Sequence, residues 1–191
     1  MKVRESGIPE EELWATFFNP EVIFDKLNLT SANISVVEYG CGYGTFTVPA
    51  AKRISGYLYA FDMEPEMIEA TQAKVETVGL TNVRVIQRDI VANGTGIPDS
   101  NADYVMLFNI LHTDHPLGLL QEAFRILAPG GKVGIIHWNY DPATPRGPSM
   151  EIRPRPEQCR SWIEQSGFRV LHPGILDLPP YHYGIVAKKP N

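Results

Sequence analysis

From residue 34 onward, short runs rich in Val, Ile, Tyr and Phe alternate with segments whose apolar residues recur at helical spacing. Strands separated by helices lead to a parallel sheet, because a parallel crossover needs a connection of helix size. The runs Ile34–Tyr39, Tyr57–Phe61, Val83–Gln87, Asp103–Phe108 and Lys132–Trp138 read as the first five strands. A helix is expected from about Thr45 to Ile54, between the first two. The next helix carries its own punctuation: Pro65 fits the first turn, Met67, Ile68, Thr71, Val75 and Val78 share one face, and Gly79 stops it. An irregular Asn93-Gly94-Thr95-Gly96 stretch precedes the fourth strand. Leu119, Leu120, Ala123, Phe124 and Leu127 then give another helical face, closed by Pro129-Gly130-Gly131.

Between Asn139 and Pro156 lie five prolines, too many for a helix or strand, so a long surface loop is expected there, of the kind that often covers a site. Cys159, Trp162 and Ile163 are spaced as the buried stripe of a short helix ending at Gly167. Two final strands follow, near Phe168–Leu171 and Tyr183–Lys188. Ahead of the first strand, Pro9–Phe18 and Glu21–Leu29 read as two short helices. Residues 1–30 are therefore expected to form a helical cap on a single main domain, 31–191.

Composition narrows the function. A chain of 191 residues has room for one full core, and 43% hydrophobic with 20% charged residues is ordinary for a globular protein. Lys and Arg total 17 against 22 Asp and Glu, a net charge of −5, so no basic excess coats a nucleic acid or an anionic membrane. No apolar run approaches the ~18 residues of a span, and Met1–Glu12 is polar where a signal peptide is apolar. The cytoplasm is the expected compartment, with Cys41 and Cys159 as reduced thiols.

Val36-Val37-Glu38-Tyr39-Gly40-Cys41-Gly42-Tyr43-Gly44-Thr45 puts a glycine turn between a strand and a helix, at the sheet edge where open α/β folds bind ligands. The turn either makes the bend alone or lets a ligand lie against bare backbone. A dinucleotide fingerprint needs its third glycine five positions after the first, where Thr45 stands. Asp62 ends the second strand, 22 positions after Gly40, where a carboxylate can accept both hydroxyl hydrogens of a ribose or simply precede a helix. Asp89 follows the third strand and can accept from an exocyclic amine.

Glu38-x-Gly40-x-Gly42-x-Gly44, then Asp62 and Asp89, then Phe124-Arg125-Ile126-Leu127-Ala128-Pro129-Gly130-Gly131-Lys132, resembles the class I S-adenosylmethionine-dependent methyltransferases, nearest the type 11 small-molecule group. The likeness covers residues 34–138. It implies a Rossmann-like, doubly wound, mostly parallel seven-stranded sheet with helices on both faces and an antiparallel final strand. It also implies S-adenosyl-L-methionine as cofactor and S-adenosyl-L-homocysteine as product. Carried over by position, the backbone of Gly40, Cys41, Gly42 and Gly44 packs against the methionine part. Glu38, where the family usually has Asp, anchors the loop and reaches the ammonium directly or through water. Asp62 holds the ribose, Met63 lies against adenine or simply fills core, Asp89 and Ile90 read the adenine edge, and Asn109 offers its carbonyl near the transferred methyl. Asn109-Ile110-Leu111-His112 differs from the Asn-Pro-Pro-Tyr of nucleobase-amine enzymes, and no carboxylate cluster implies a catalytic metal.

A methyl on a sulfonium is already activated, so proximity can supply most of the rate and a base is needed only for a protonated nucleophile. His112, Asp114 and His115 follow the fourth strand and are base candidates. His112-x-x-His115 as a metal pair lacks a third ligand. His137, ending the fifth strand, is either catalytic or a hydrogen-bonded core residue. The catalytic candidates are therefore His112, His115 and His137, and no metal is expected. A small, partly apolar substrate is expected under a lid drawn from Trp14–Leu29 and the proline loop. Trp14, Phe17 and Phe18 read as core rather than pocket. Arg146, Arg153 and Arg155 either bind a substrate anion or are solvated, and Tyr181, His182 and Tyr183 stand near the mouth. The alternatives are an NAD-type oxidoreductase on a similar sheet and a regulatory protein that binds the cofactor without transfer.

Overall fold

In the computed structural model, which describes residues 11–191, all strands join one mixed sheet. The part of the expected cap and of its first helix that falls on residues 1–10 lies outside the described residues. The elements are α1 (Glu11–Ala15), α2 (Pro20–Lys26), β1 (Ser35–Tyr39), α3 (Thr47–Arg53), β2 (Tyr57–Asp62), α4 (Pro65–Thr77), β3 (Val83–Gln87), α5 (Ile90–Asn93), β4 (Ala102–Phe108), α6 (Pro116–Ile126), β5 (Leu127–Trp138), α7 (Pro156–Gln165), β6 (Arg169–Leu178) and β7 (His182–Lys188). The sheet order is β3-β2-β1-β4-β5-β7-β6. Neighbours from β3 to β5 pair in parallel, and β7 runs antiparallel between β5 and β6.

Strand alternation splits the core into two layers. Val36, Tyr104, Met106, Ile136 and Trp138 pack with α2 and α3 on one face, and Val37, Val105, Leu107, Val133 and Ile135 pack with α6 and α7 on the other. The Tyr104 hydroxyl donates to the Leu27 carbonyl at 2.8 Å, fastening the segment after α2 to the sheet. A Cβ at Gly134, on the neighbouring strand, would stand 2.1 Å from that hydroxyl, so only glycine lets the phenol pass.

The structure shifts several expected boundaries. The first main-domain helix begins at Thr47 rather than Thr45, because turn geometry from the glycine loop persists through Phe46. Leu127 opens β5 rather than continuing α6, since Pro129 bars the helical conformation at the residue before it and Leu127 is already extended. The sixth strand runs on to Leu178 with a register shift between Val170 and Ile175. Pro173-Gly174 reads as a stop in sequence, but an edge strand tolerates both. Residues 139–155 contain neither helix nor strand, as the prolines predict.

Candidate active site

β1 sits at the point where strand order reverses, with β2 on one side and β4 on the other. Carboxyl ends diverge there, and a cleft of about 1010 Å³ opens above them. The chain leaves β1 through Gly40, Gly42 and Gly44, whose φ angles of +74°, +53° and +74° disfavour side chains. Gly40 and Cys41 donate to the Phe61 carbonyl at 2.8 and 2.9 Å, and Gly44 to the Cys41 carbonyl at 2.9 Å. The Thr71 hydroxyl of α4 donates to the Gly42 carbonyl at 2.7 Å, and Lys74 to the Tyr43 carbonyl at 2.5 Å.

Asp62 stands at the end of β2 and lines the cleft. One carboxylate oxygen accepts from the Gly42 N–H at 3.0 Å and the other from the Glu64 N–H at 3.1 Å. Burial raises its pKa, opposed by those N–H groups. An ionised carboxylate offers about four lone-pair sites, so about two remain after these bonds. Glu38 lies beneath the loop, 2% exposed and outside the cleft lining, with the Thr47 hydroxyl donating to it at 2.6 Å. Burial pushes its carboxyl up to about 8, so it is neutral at pH 7. Burial also raises the Cys41 thiol, leaving it un-ionised. Met63, Asp89 and Ile90 line the cleft beside Asp62. Asp89 caps α5 by accepting from the Ala92 N–H at 3.0 Å.

Asn109 follows β4 with φ +55°, and neither atom of its buried side-chain amide has a partner among the described residues. The Thr45 hydroxyl, also in the cleft wall, is likewise buried without one. His112 lines the same cleft at 3% exposure, its Nδ1 3.3 Å from Nε2 of His137. Burial, aided by the Arg153 charge, lowers His112 to about 4, and burial holds His137 well below the usual imidazole range. His137 is fully buried behind His112 and does not line the cleft. His115 lies at the start of α6, against a separate hollow with Val91 and Trp162, so the two residues of the His112-x-x-His115 spacing part company. Among the described residues, no three of His, Cys, Asp and Glu gather in a group able to hold a metal ion.

Trp14 and, from the proline loop, Arg146, Gly147 and Pro148 also line the cleft. Phe17 and Phe18 are core, whereas Trp14, expected with them, lines the cleft and stands 6.2 Å from the Trp138 ring. Arg153 neither reaches the cleft nor is solvated. Buried by its own loop, it donates to the carbonyls of Asn139, Asp141, Arg146 and Pro148 and to the Thr144 hydroxyl. Arg155 lies over the Tyr140 ring at 3.8 Å, leaving Arg146 as the loop arginine at the cleft. None of Tyr181, His182 and Tyr183 lines it: His182 is buried against Trp138 and Phe18, and the Tyr183 hydroxyl donates to the Pro154 carbonyl. Reading by sequence missed Thr71 and Arg153 as the residues that hold the loops in place. Both work through main-chain carbonyls, Thr71 through that of Gly42 on another element and Arg153 through those of its own loop, and such bonds leave no pattern of residue types.

A methyltransferase-domain family profile matches residues 36–131. The chain is 31% identical over 96 residues to demethylmenaquinone methyltransferase of Geobacillus sp. (strain WCH70), covering 49% of this chain and 40% of that protein. It is 30% identical over 186 residues to an uncharacterized 37.1 kDa protein in transposon TN4556 of Streptomyces fradiae, covering 92% of this chain and 51% of that one. The chain thus spans about half the length, or less, of these relatives. The crystal structure of a SAM-dependent methyltransferase from Aquifex aeolicus superposes with a TM-score of 0.83 at 25% identity, covering 95% of this chain and 94% of that one.

Proposed function

The chain belongs to the methyltransferase-domain family, and from that premise we propose that it moves a methyl group from S-adenosylmethionine to a small, partly apolar acceptor by in-line displacement. The observation that carries the reading is Asp62: its two oxygens are each fixed by one backbone N–H, and the lone pairs left over face a need that a ribose diol meets. Met63 and Ile90 flank the base, and Asp89 accepts from its exocyclic amine. The bare loop backbone from Gly40 through Cys41 and Gly42 to Gly44 lies against the amino-acid part, next to the unpartnered Thr45 hydroxyl and Asn109 amide. Glu38 acts from below, as the anchor that holds Thr47.

The loop's own bonding argues against a dinucleotide. Pyrophosphate is held by free backbone N–H groups, and those of Gly40, Cys41, Gly42 and Gly44 are already engaged within the protein. When bound, S-adenosylmethionine supplies a methyl already activated as a sulfonium. The chain's part is then to bind, align the acceptor and exclude water. Trp14 with the segment up to Leu29, and the loop held by Arg153, serve as the lid. The cleft is of small-molecule size and the net charge of −5 suits no nucleic acid. No helix among the described residues is long and apolar enough to cross a membrane. Thermal unfolding in S-adenosylhomocysteine or NAD tests the reading. The midpoint should rise with the first and not the second, and the reverse result would overturn it.

A further inference from the structure

Accepting the methyl-transfer reading, we propose that His112 takes the proton of the methyl acceptor and that His137 is the positioning residue that sets its tautomer. The acceptor is accordingly a hydroxyl on a flat apolar scaffold, a phenol or an enol.

The geometry is directional. His112 Nδ1 is turned to His137 Nε2 at 3.3 Å, so that nitrogen is committed inside the protein. The other nitrogen, Nε2, is buried with no partner among the described residues while the ring forms part of the cleft wall. A buried polar atom without a partner calls for one, and a ligand is what the cleft can provide. Two neutral rings share one proton across the 3.3 Å contact. His137 Nδ1 is itself buried with no partner among the described residues, so the contact with His112 is the hydrogen bond that can orient the pair. A base at the cleft needs its lone pair on His112 Nε2, which puts the shared proton on His112 Nδ1 and makes His137 Nε2 the acceptor across the 3.3 Å contact.

The surroundings select the acceptor. Around the pair stand Arg153 from the proline loop, His182 and Tyr183 on β7, and Asp114 beyond His112. Neither ring hydrogen-bonds a carboxylate among the described residues, and the Arg153 partners are all neutral oxygens. Asp62, Glu64, Glu66, Asp89 and Asp114 also line the cleft, but the fixed charge that acts on both rings is that of Arg153, which disfavours a cationic amine beside them and favours an oxygen that gains negative charge. Trp14, Phe108 and Trp138 line the same cleft and suit a flat ring. In the transfer the acceptor oxygen forms a new C–O bond, the C–S bond breaks with its electron pair going to sulfur, and the hydroxyl proton passes to His112 Nε2. That proton leaves to solvent with the product. An oxygen being alkylated becomes a strong acid, so an imidazole that stays neutral at pH 7 is base enough.

Nitrogen-15 NMR of the histidine rings in the cofactor-free full chain reads the tautomer directly. A proton on His112 Nδ1 alone at neutral pH is expected, and a proton on Nε2 overturns the assignment. His137→Gln, whose amide oxygen still accepts, should keep that tautomer. His137→Leu should lose it, together with about 100-fold in turnover. An unchanged tautomer in His137→Leu overturns the role of His137. With labelled S-adenosylmethionine and the probes phenol, 1-naphthol, aniline and thiophenol, label should appear on the hydroxyl compounds. Label only on the amine or thiol, or on none, overturns the substrate class. Failure of wild-type protein to bind S-adenosylhomocysteine would strike the methyl-transfer reading itself, whereas a wrong tautomer with intact binding strikes this proposal alone.

Discussion

Replacing Asp62 by Ala removes the carboxylate that the proposed site depends on. Two hydrogen bonds from ribose hydroxyls to a charged acceptor contribute about 1.5–3 kcal/mol each. Water can refill an open cleft, so the lower end applies and the expected loss is about 3 kcal/mol, or about 100-fold in affinity for S-adenosylhomocysteine. The same change strips the partner from the Gly42 and Glu64 N–H groups. Both can turn to water in the cleft, so a stability loss of about 1 kcal/mol and a midpoint drop of about 2–4 °C are expected. Asn is no conservative substitute. Each oxygen of Asp62 accepts one backbone N–H, so the amide nitrogen would face a donor wherever it sits, and Asp62→Asn should lose at least about 10-fold. Isothermal titration with S-adenosylhomocysteine, beside thermal unfolding to confirm the fold, is the measurement. Affinity within about twofold of wild type in a folded Asp62→Ala protein would refute the assignment. Because burial raises Asp62, wild-type affinity should begin to fall at a higher pH on acidification than an ordinary aspartate would dictate.

Glu38 makes a pH prediction. Its folded pKa of about 8 lies above the reference value of 4.5, so the folded state holds a proton the unfolded state has released, and stability falls as pH rises between those values. Glu38→Gln should flatten that slope in urea unfolding and be the more stable protein above about pH 8; a parallel slope in both proteins would contradict it. Arg153→Leu should free the proline loop, read as faster tryptic cleavage after Arg146, the loop arginine not followed by proline. Equal cleavage rates would show that Arg153 does not hold the loop. Gly44→Ala places a Cβ 3.1 Å from the Thr71 hydroxyl at φ +74°, and should lower stability by about 1–3 kcal/mol and weaken cofactor binding together; an unchanged midpoint would sink that expectation.

Much of this architecture was legible in the order of residues, because strand and helix periods, glycine bends and proline stops are local. Val36-Val37 and Val105-Met106-Leu107 announce strands buried on both faces, and Gly79 and Pro129 mark where helices must end. The loop from Gly40 to Gly44 and Asp62 could be placed at one sheet edge from their positions at strand ends alone. The run to Leu178 in β6 was hidden, since Pro173-Gly174 is acceptable only at an edge, and edge position is a property of the whole sheet. Three arginines in one loop look alike in sequence. Only the folded chain gives Arg153 to its own carbonyls, Arg155 to Tyr140 and Arg146 to the cleft. His112, His115 and His137 were equal candidates until tertiary packing buried His137 behind His112 and turned His115 to another hollow. Local propensity decides which element a residue joins. Which nitrogen finds a partner, and which is left to a ligand, depends on contacts between segments far apart in the chain, and those exist only once the sheet has assembled.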